Sequence, residues 1–354
     1  MKKHRILYNL AFIISHSSAY AVFGKSTLIL SMITLIVSVT QGCSKHPQDG
    51  SFTEVSRKAS VKLAVHNPQS TRMHSIDALV FNDDQLQRLD CYQNFENMAD
   101  GEQFIGSCSG AKILLLCANL QWNKDSWREY NSYKKACSLK VDLENENREF
   151  PVMASVNHIT AGEAQTEVTL ERISSEVVLR SICCDFTGKP YAGESITDTK
   201  VYLTNVNGSC SIIPQDDGTI ERIINHRELI ESDINIFNDT GLIFRRLEEI
   251  SSSRSYPGIE LLCYPNTSPE ESIGSPFTKL VVEGKIQGET WYWPIDINRS
   301  GSGIGIERNR RYIFDITIRC KGTKDPDITI SSEMTDIIFE AETWKEKESY
   351  SISF

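Results

Sequence analysis

Along much of the chain, apolar residues fall at every second position in runs of six to ten, each bounded by Gly, Asn, Asp, Ser or Pro. This is the period of a half-buried β-strand. The pattern predicts strands at 76–81 (IDALVF), 111–118 (AKILLLCA), 167–172 (EVTLER), 176–182 (EVVLRSI) and 200–205 (KVYLTN). Further strands are predicted at 259–264 (IELLCY), 278–286 (TKLVVEGKI), 290–297 (TWYWPIDI) and 311–320 (RYIFDITIRC). An earlier run, SVKLAV at 60–65, sets Val61, Leu63 and Val65 on one face, and the polar stretch that follows contains Arg72. Helical spacing is confined to HRELIES (226–232) and IFRRLEEI (243–250). Many short strands with few helices predict an all-β chain built as β-sandwiches. The apolar pattern lapses among turn residues at 187–198, dividing the chain into units at 60–190 and 191–354.

The first forty residues follow a different pattern. A basic start, MKKHR, precedes the apolar run STLILSMITLIVSVTQGC (26–43), which reads as an export signal over 1–42 rather than a membrane-spanning helix. The Gly42–Cys43 junction has the form of a lipoprotein cleavage site, with Cys43 as the lipidated residue; the alternative is an ordinary signal peptide that leaves Cys43 a thiol. A polar tether at 43–59 follows. Removing Lys2, Lys3, Arg5 and Lys25, with no acidic residue among them, takes the formal charge from −10 to −14. So acidic a chain repels phosphate backbones, which argues against nucleic acid as a partner. Beyond Cys43 nine cysteines remain. They show no CxxC spacing, and Cys117 and Cys263 lie in apolar runs, so mostly free, buried thiols are expected with at most one or two bridges.

Motifs for catalysis are wanting. GSGIG (301–305) has glycines at dinucleotide-like spacing, but a turn and a strand follow where a helix N-terminus is needed, so a hairpin loop is expected. The seven histidines are scattered, and neither HExxH nor a GxSxG elbow occurs. PQDDG (214–218) and DPD (325–327) lack the further acidic ligands of a calcium loop. No catalytic residues, metal site or cofactor are expected, and the chain is read as no enzyme. In WYW (291–293), Trp291 and Trp293 share one strand face and Tyr292 takes the other, which predicts core packing. The same tryptophans, with Trp122 and Trp127, support a second reading, a monomeric outer-membrane glycan-binding lipoprotein.

The C-terminal residues alternate again. Phe339 and Ala341 alternate with Glu340 and Glu342, then Tyr350, Ile352 and Phe354 with Ser351 and Ser353. Such a tail buries its apolar face either in its own domain or in another molecule, adding a strand to an open sheet edge. Three such side chains supply about 5–9 kcal/mol, comparable to the ~4–15 kcal/mol cost of association, so the preceding strand would have to contribute as well.

From about Ser60 onward the sequence resembles the Bacteroidales fimbrillins, subunits of type V pili. The resemblance rests on GAKILLLCANL (110–120), FPVMAS (150–155), VTLERISSEVVLR (168–180), KVYLTNV (200–206), LLCYPNTSPE (261–270), TKLVVEGKI (278–286) and IERNRRYIFDITIRCKG (306–322), in that order behind a lipobox-like cysteine. It implies two tandem transthyretin-like β-sandwich domains after a lipoprotein signal peptide, and an outer-membrane lipoprotein that becomes part of an adhesive cell-surface fimbrium. It further implies that an arginine-specific surface protease cuts after the first strand, at Arg72 by position, with Arg57 and Lys58 as nearby alternatives; a plain exposed turn arginine is the competing reading. Val61, Leu63 and Val65 would then plug an acceptor groove before the cut. Phe339, Ala341, Tyr350, Ile352 and Phe354 would anchor the donor strand given to the next subunit. The partners implied are other fimbrial subunits, the outer membrane through the N-terminal lipid, and that protease.

Overall fold

The computed structural model describes residues 58–65, 73–96, 101–162, 166–214, 220–343 and 348–353. Residues 1–42, where an export signal is expected, and Cys43, Arg72 and Phe354 lie outside the described residues. In chain order the strands are β1 (Lys58–Val65), β2 (Ser75–Asn82), β3 (Leu89–Glu96), β4 (Gly101–Cys108), β5 (Gly110–Ala118), β6 (Lys140–Asp142), β7 (Met153–Ala161) and β8 (Thr166–Arg172). Next come β9 (Ser175–Cys184), β10 (Thr197–Thr204), β11 (Val206–Asn207), β12 (Ser209–Ser211), β13 (Ile223–Ile224), β14 (Phe244–Arg246) and β15 (Ile259–Cys263). The last are β16 (Lys279–Ile286), β17 (Glu289–Asp296), β18 (Arg310–Ile318), β19 (Thr335–Thr343) and β20 (Glu348–Ser353).

An eight-stranded sheet runs β3-β2-β5-β7-β8-β20-β1-β4. Two four-stranded sheets, β14-β10-β16-β17 and β15-β9-β18-β19, carry the later part of the chain. Sheet membership changes between β8 and β9, near Ile173. The strand 175–184, which a division at 190/191 assigns to the earlier unit, therefore pairs with β15 and β18.

The chemistry of each strand explains its place. In β5 (GAKILLLCA), Ile113 to Ala118 are fully buried, because the strand is covered on both faces and a near-continuous apolar run is what such a strand needs. Its alternate residues serve two cores. Ile113, Leu115 and Cys117 join the large core shared with the later sheets, while Leu114, Leu116 and Ala118 join a smaller one with Ile76, Ala78, Val80, Ile105, Val168 and Leu170. In β18, Tyr312, Phe314, Ile316 and Ile318 face the large core, and Asp315 on the opposite face holds Arg180. Lys279 is 2% exposed and is neutralised by Glu271 at 2.9 Å, Asp296 at 3.6 Å and Asp327 at 3.7 Å. Asp327 of the DPD turn thus serves an ion pair.

The nine strands predicted between 76 and 320 all form. The helical reading of 243–250 does not hold: residues 244–246 are strand β14, paired with β10 from Lys200 to Tyr202. Ile243, Leu247 and Ile250 have helical spacing, but the backbone partners offered by β10 decide the conformation. Segment 226–232 is also non-helical up to Ile230, and a single turn covers Glu231–Ile234. Residues 301–305 form the expected loop, entering β18. None of the nine cysteines in the described residues is in a disulfide, and Cys117, Cys183, Cys184 and Cys263 are buried.

Candidate strand-exchange site

The far end of the eight-stranded sheet brings together the two segments singled out by alternation. β1 is antiparallel to β4 along its whole length, with Lys58 opposite Cys108, Val61 opposite Ile105 and Val65 opposite Gly101. On its other side β1 is antiparallel to β20: Lys62 pairs with Ser353, Leu63 with Ile352, Ala64 with Ser351 and Val65 with Tyr350. β20 in turn pairs with β8, Tyr350 opposite Val168 and Glu348 opposite Leu170. At about 4.8 Å between neighbours, β4 and β8 stand roughly 14 Å apart with two strands between them.

Register fixes which positions share a face. Positions 61, 63 and 65 lie in the same row set as Ile105, and positions 350 and 352 in that of Val168, because directly opposed residues in a ladder share a face. Ile105, Val168 and Leu170 are fully buried and belong to the smaller core. The segment β4-β1-β20-β8 therefore forms the cover of that core. Taking β1 out would leave a row of unpaired N–H and C=O groups on β4 and on β20.

The proposed donor residues divide between two sheets. Tyr350 and Ile352 sit in the lane just described. Phe339 and Ala341 lie in β19, opposite Phe314 and Tyr312 of β18. The Phe339 ring is nearly parallel to Tyr312 at 6.2 Å between centroids and contacts Phe314 at 5.1 Å. Among the described residues β19 pairs with β18 alone and is the edge of its sheet. The walls of the lane, Ile105, Val168 and Leu170, were not among the residues singled out; of these only Val168 and Leu170 had a visible signal, the alternation within EVTLER.

The four tryptophans of the glycan reading are engaged within the chain. Trp293 is fully buried and donates its Nε1 proton to the Cys320 carbonyl at 3.0 Å. Trp291 lies under the Lys324 ammonium, 3.5 Å from the ring centroid. Trp122 donates to Asp77 at 3.2 Å, and Trp127 stacks on Tyr92 at 5.3 Å.

A polar cleft of about 780 Å³ lies between the earlier and later sheets, lined among others by Glu146, Arg148, Arg172, Glu176 and Arg311. Glu146, one of its lining residues, is buried. Its Oε1 accepts the Val152 N–H at 2.8 Å, and its Oε2 accepts the Tyr264 hydroxyl at 2.9 Å, a bond from the earlier sheets to the later ones. Burial outweighs these bonds and the nearby Arg172, and pushes the Glu146 carboxyl up to about 7. A carboxyl whose pKa rises on folding favours the folded state below its ordinary value near 4.5, and that contribution is lost as pH rises through 7. Glu146→Gln should therefore flatten the fall in melting temperature between pH 5 and pH 8, removing about 3 kcal/mol of pH dependence. Parallel melting curves for the two proteins at both pH values would sink this.

No protein-family model matches the chain, and no curated protein matches it in sequence. Solved structures do. A fimbrillin of Porphyromonas gingivalis W83 superposes with a TM-score of 0.56 at 13% identity, over 82% of this chain and 98% of the fimbrillin. The tip fimbrial protein Mfa3 of Porphyromonas gingivalis, with a C-terminal truncation, gives 0.50 at 12% identity over 81% and 100% of the two chains. The fold is that of the fimbrillins. A candidate cell adhesion protein of Parabacteroides distasonis gives 0.56 at 16% identity, over 81% and 99%. In this chain that fold carries the first and the last described strands, β1 and β20, in adjacent lanes of one sheet.

Proposed function

We propose that the chain is a structural subunit of a cell-surface fimbrium that supports adhesion and assembles by strand exchange. It is exported as an outer-membrane lipoprotein through Cys43, a surface protease cuts after Arg72, β1 is lost, and a neighbour's C-terminal strand takes the vacated lane. The observation that supports this reading most is the position of β1. Among the described residues its ladder partners are β4 and β20, and the next described strand, β2, lies toward the opposite end of the sheet. A strand so placed can leave after a single cut in 66–74 while the ladders of β2, β5 and β7 stay paired. The vacated lane offers main-chain partners on β4 and an apolar floor at Ile105, Val168 and Leu170.

Arg72→Ala tests this directly. Wild-type precursor treated with an arginine-specific protease should form a ladder on mildly denaturing gels, and the variant should stay monomeric. Laddering of the uncut variant would overturn the assignment. The glycan reading has less support, since all four tryptophans are engaged within the chain.

A further inference from the structure

β1 has a second neighbour besides β4, and that neighbour is the chain's own tail. β20 is held from both sides: by β8 through residues 348–352 and by β1 through residues 350–353. Between Tyr350 and Ile352 the tail is paired on both sides at once, and among the described residues Ser353 has Lys62 as its ladder partner. We infer that β1 is a clamp on the C-terminal strand, so that its removal unlatches the tail of the same molecule while it opens the β4 edge. One cut then makes a subunit both acceptor and donor. Before the cut the precursor is closed at both ends: β4 is covered by β1, β8 by β20, and β20 by β1.

The physical basis is that a strand paired on both sides opens only when both ladders break, whereas an edge strand frays from its free end. With β1 gone, β20 becomes an edge strand of six residues, and its last described residue has no ladder partner among the described residues. The connection from β19 runs only through residues 344–347, so the tail can leave β8 while β19 keeps its pairing with β18 and the Phe339 contacts with Tyr312 and Phe314. This inference rests on the strand-exchange reading only for its consequence in assembly; the clamp itself is a property of the single chain.

Hydrogen exchange on the C-terminal peptide covering 348–353 tests it, comparing the full chain with a chain beginning at Met73, on the monomeric fraction of each. Exchange there should quicken roughly tenfold or more without β1, while a peptide from β18 keeps its protection. Should the shortened chain lose protection throughout, Ala64→Pro in the full chain replaces it. That change removes the N–H and strains the strand at the centre of the β1–β20 ladder, and the same rise at 348–353 is expected. Unchanged tail protection in either variant, with β18 intact, overturns the clamp. A disulfide between Leu63→Cys and Ile352→Cys, which stand directly opposite, should hold the tail protected after cleavage at Arg72 and release it on reduction; a tail that exchanges fast in the oxidised form also overturns it. The two proposals fail separately. A tail freed by the cut without any ladder leaves the clamp standing and removes strand exchange, whereas a ladder from monomers whose tails stay protected does the reverse.

Discussion

A chain stopped at Thr343 should end polymers rather than build them. It retains β1, β4 and β8, so after cleavage it still presents the lane over Ile105, Val168 and Leu170, but it has no β20 to donate. Cleaved alone, it should run as a monomer. Mixed with cleaved full chain, it should move the ladder toward its shortest rungs, because a head-to-tail assembly stops at any member lacking one of the two complementary surfaces. The measure is the ladder distribution at increasing shares of the shortened chain. An unchanged distribution would show that Tyr350 and Ile352 play no part in joining subunits, and Phe339 and Ala341 in β19 would be the only donor anchors left.

The largest single-residue effect on stability is expected at Trp293. Its side chain is fully buried in the large core, and its one polar atom meets the Cys320 carbonyl at 3.0 Å. Trp293→Ala should cost about 3–5 kcal/mol through the cavity and the unpaired carbonyl. For a domain of this size that lowers the melting temperature on the order of 10 °C. Trp291→Ala, two residues away and only half-buried beneath Lys324, should cost a fraction of that. The pair also separates the two functional readings. A sugar-stacking tryptophan could be removed with the fold intact and binding lost, so equal melting temperatures for the Trp293 variant and the wild type would revive the glycan reading.

Much of the fold was legible in the residues. The runs ILLLC in β5 and LVV in β16 are apolar enough to demand cover on both sides, and the alternation in RYIFDITI gives the core face of β18 directly. Other strands were hidden. β4, GEQFIGSC, has two glycines and little apolar alternation, and β3 and β7 carry Asp, Asn, Gln or His among their apolar residues. Their pairing is imposed by β2, β5 and β1 rather than by their own composition. At 243–250 the local spacing pointed to a helix, and a tertiary partner overruled it.

Alternation marked Val61, Leu63 and Val65 at one end of the chain and Phe339, Ala341, Tyr350 and Ile352 at the other as faces in want of cover. That much is local, since side chains on a strand change face at each residue whatever the strand pairs with. It was the tertiary structure alone that placed Leu63 opposite Ile352, sent Phe339 to one sheet and Tyr350 to another, and set β1 between the tail and β4. A period of two names a face but not a neighbour, and neighbours are chosen by ladders between residues almost the whole chain apart, whose loop entropy and shared apolar floor no local window contains.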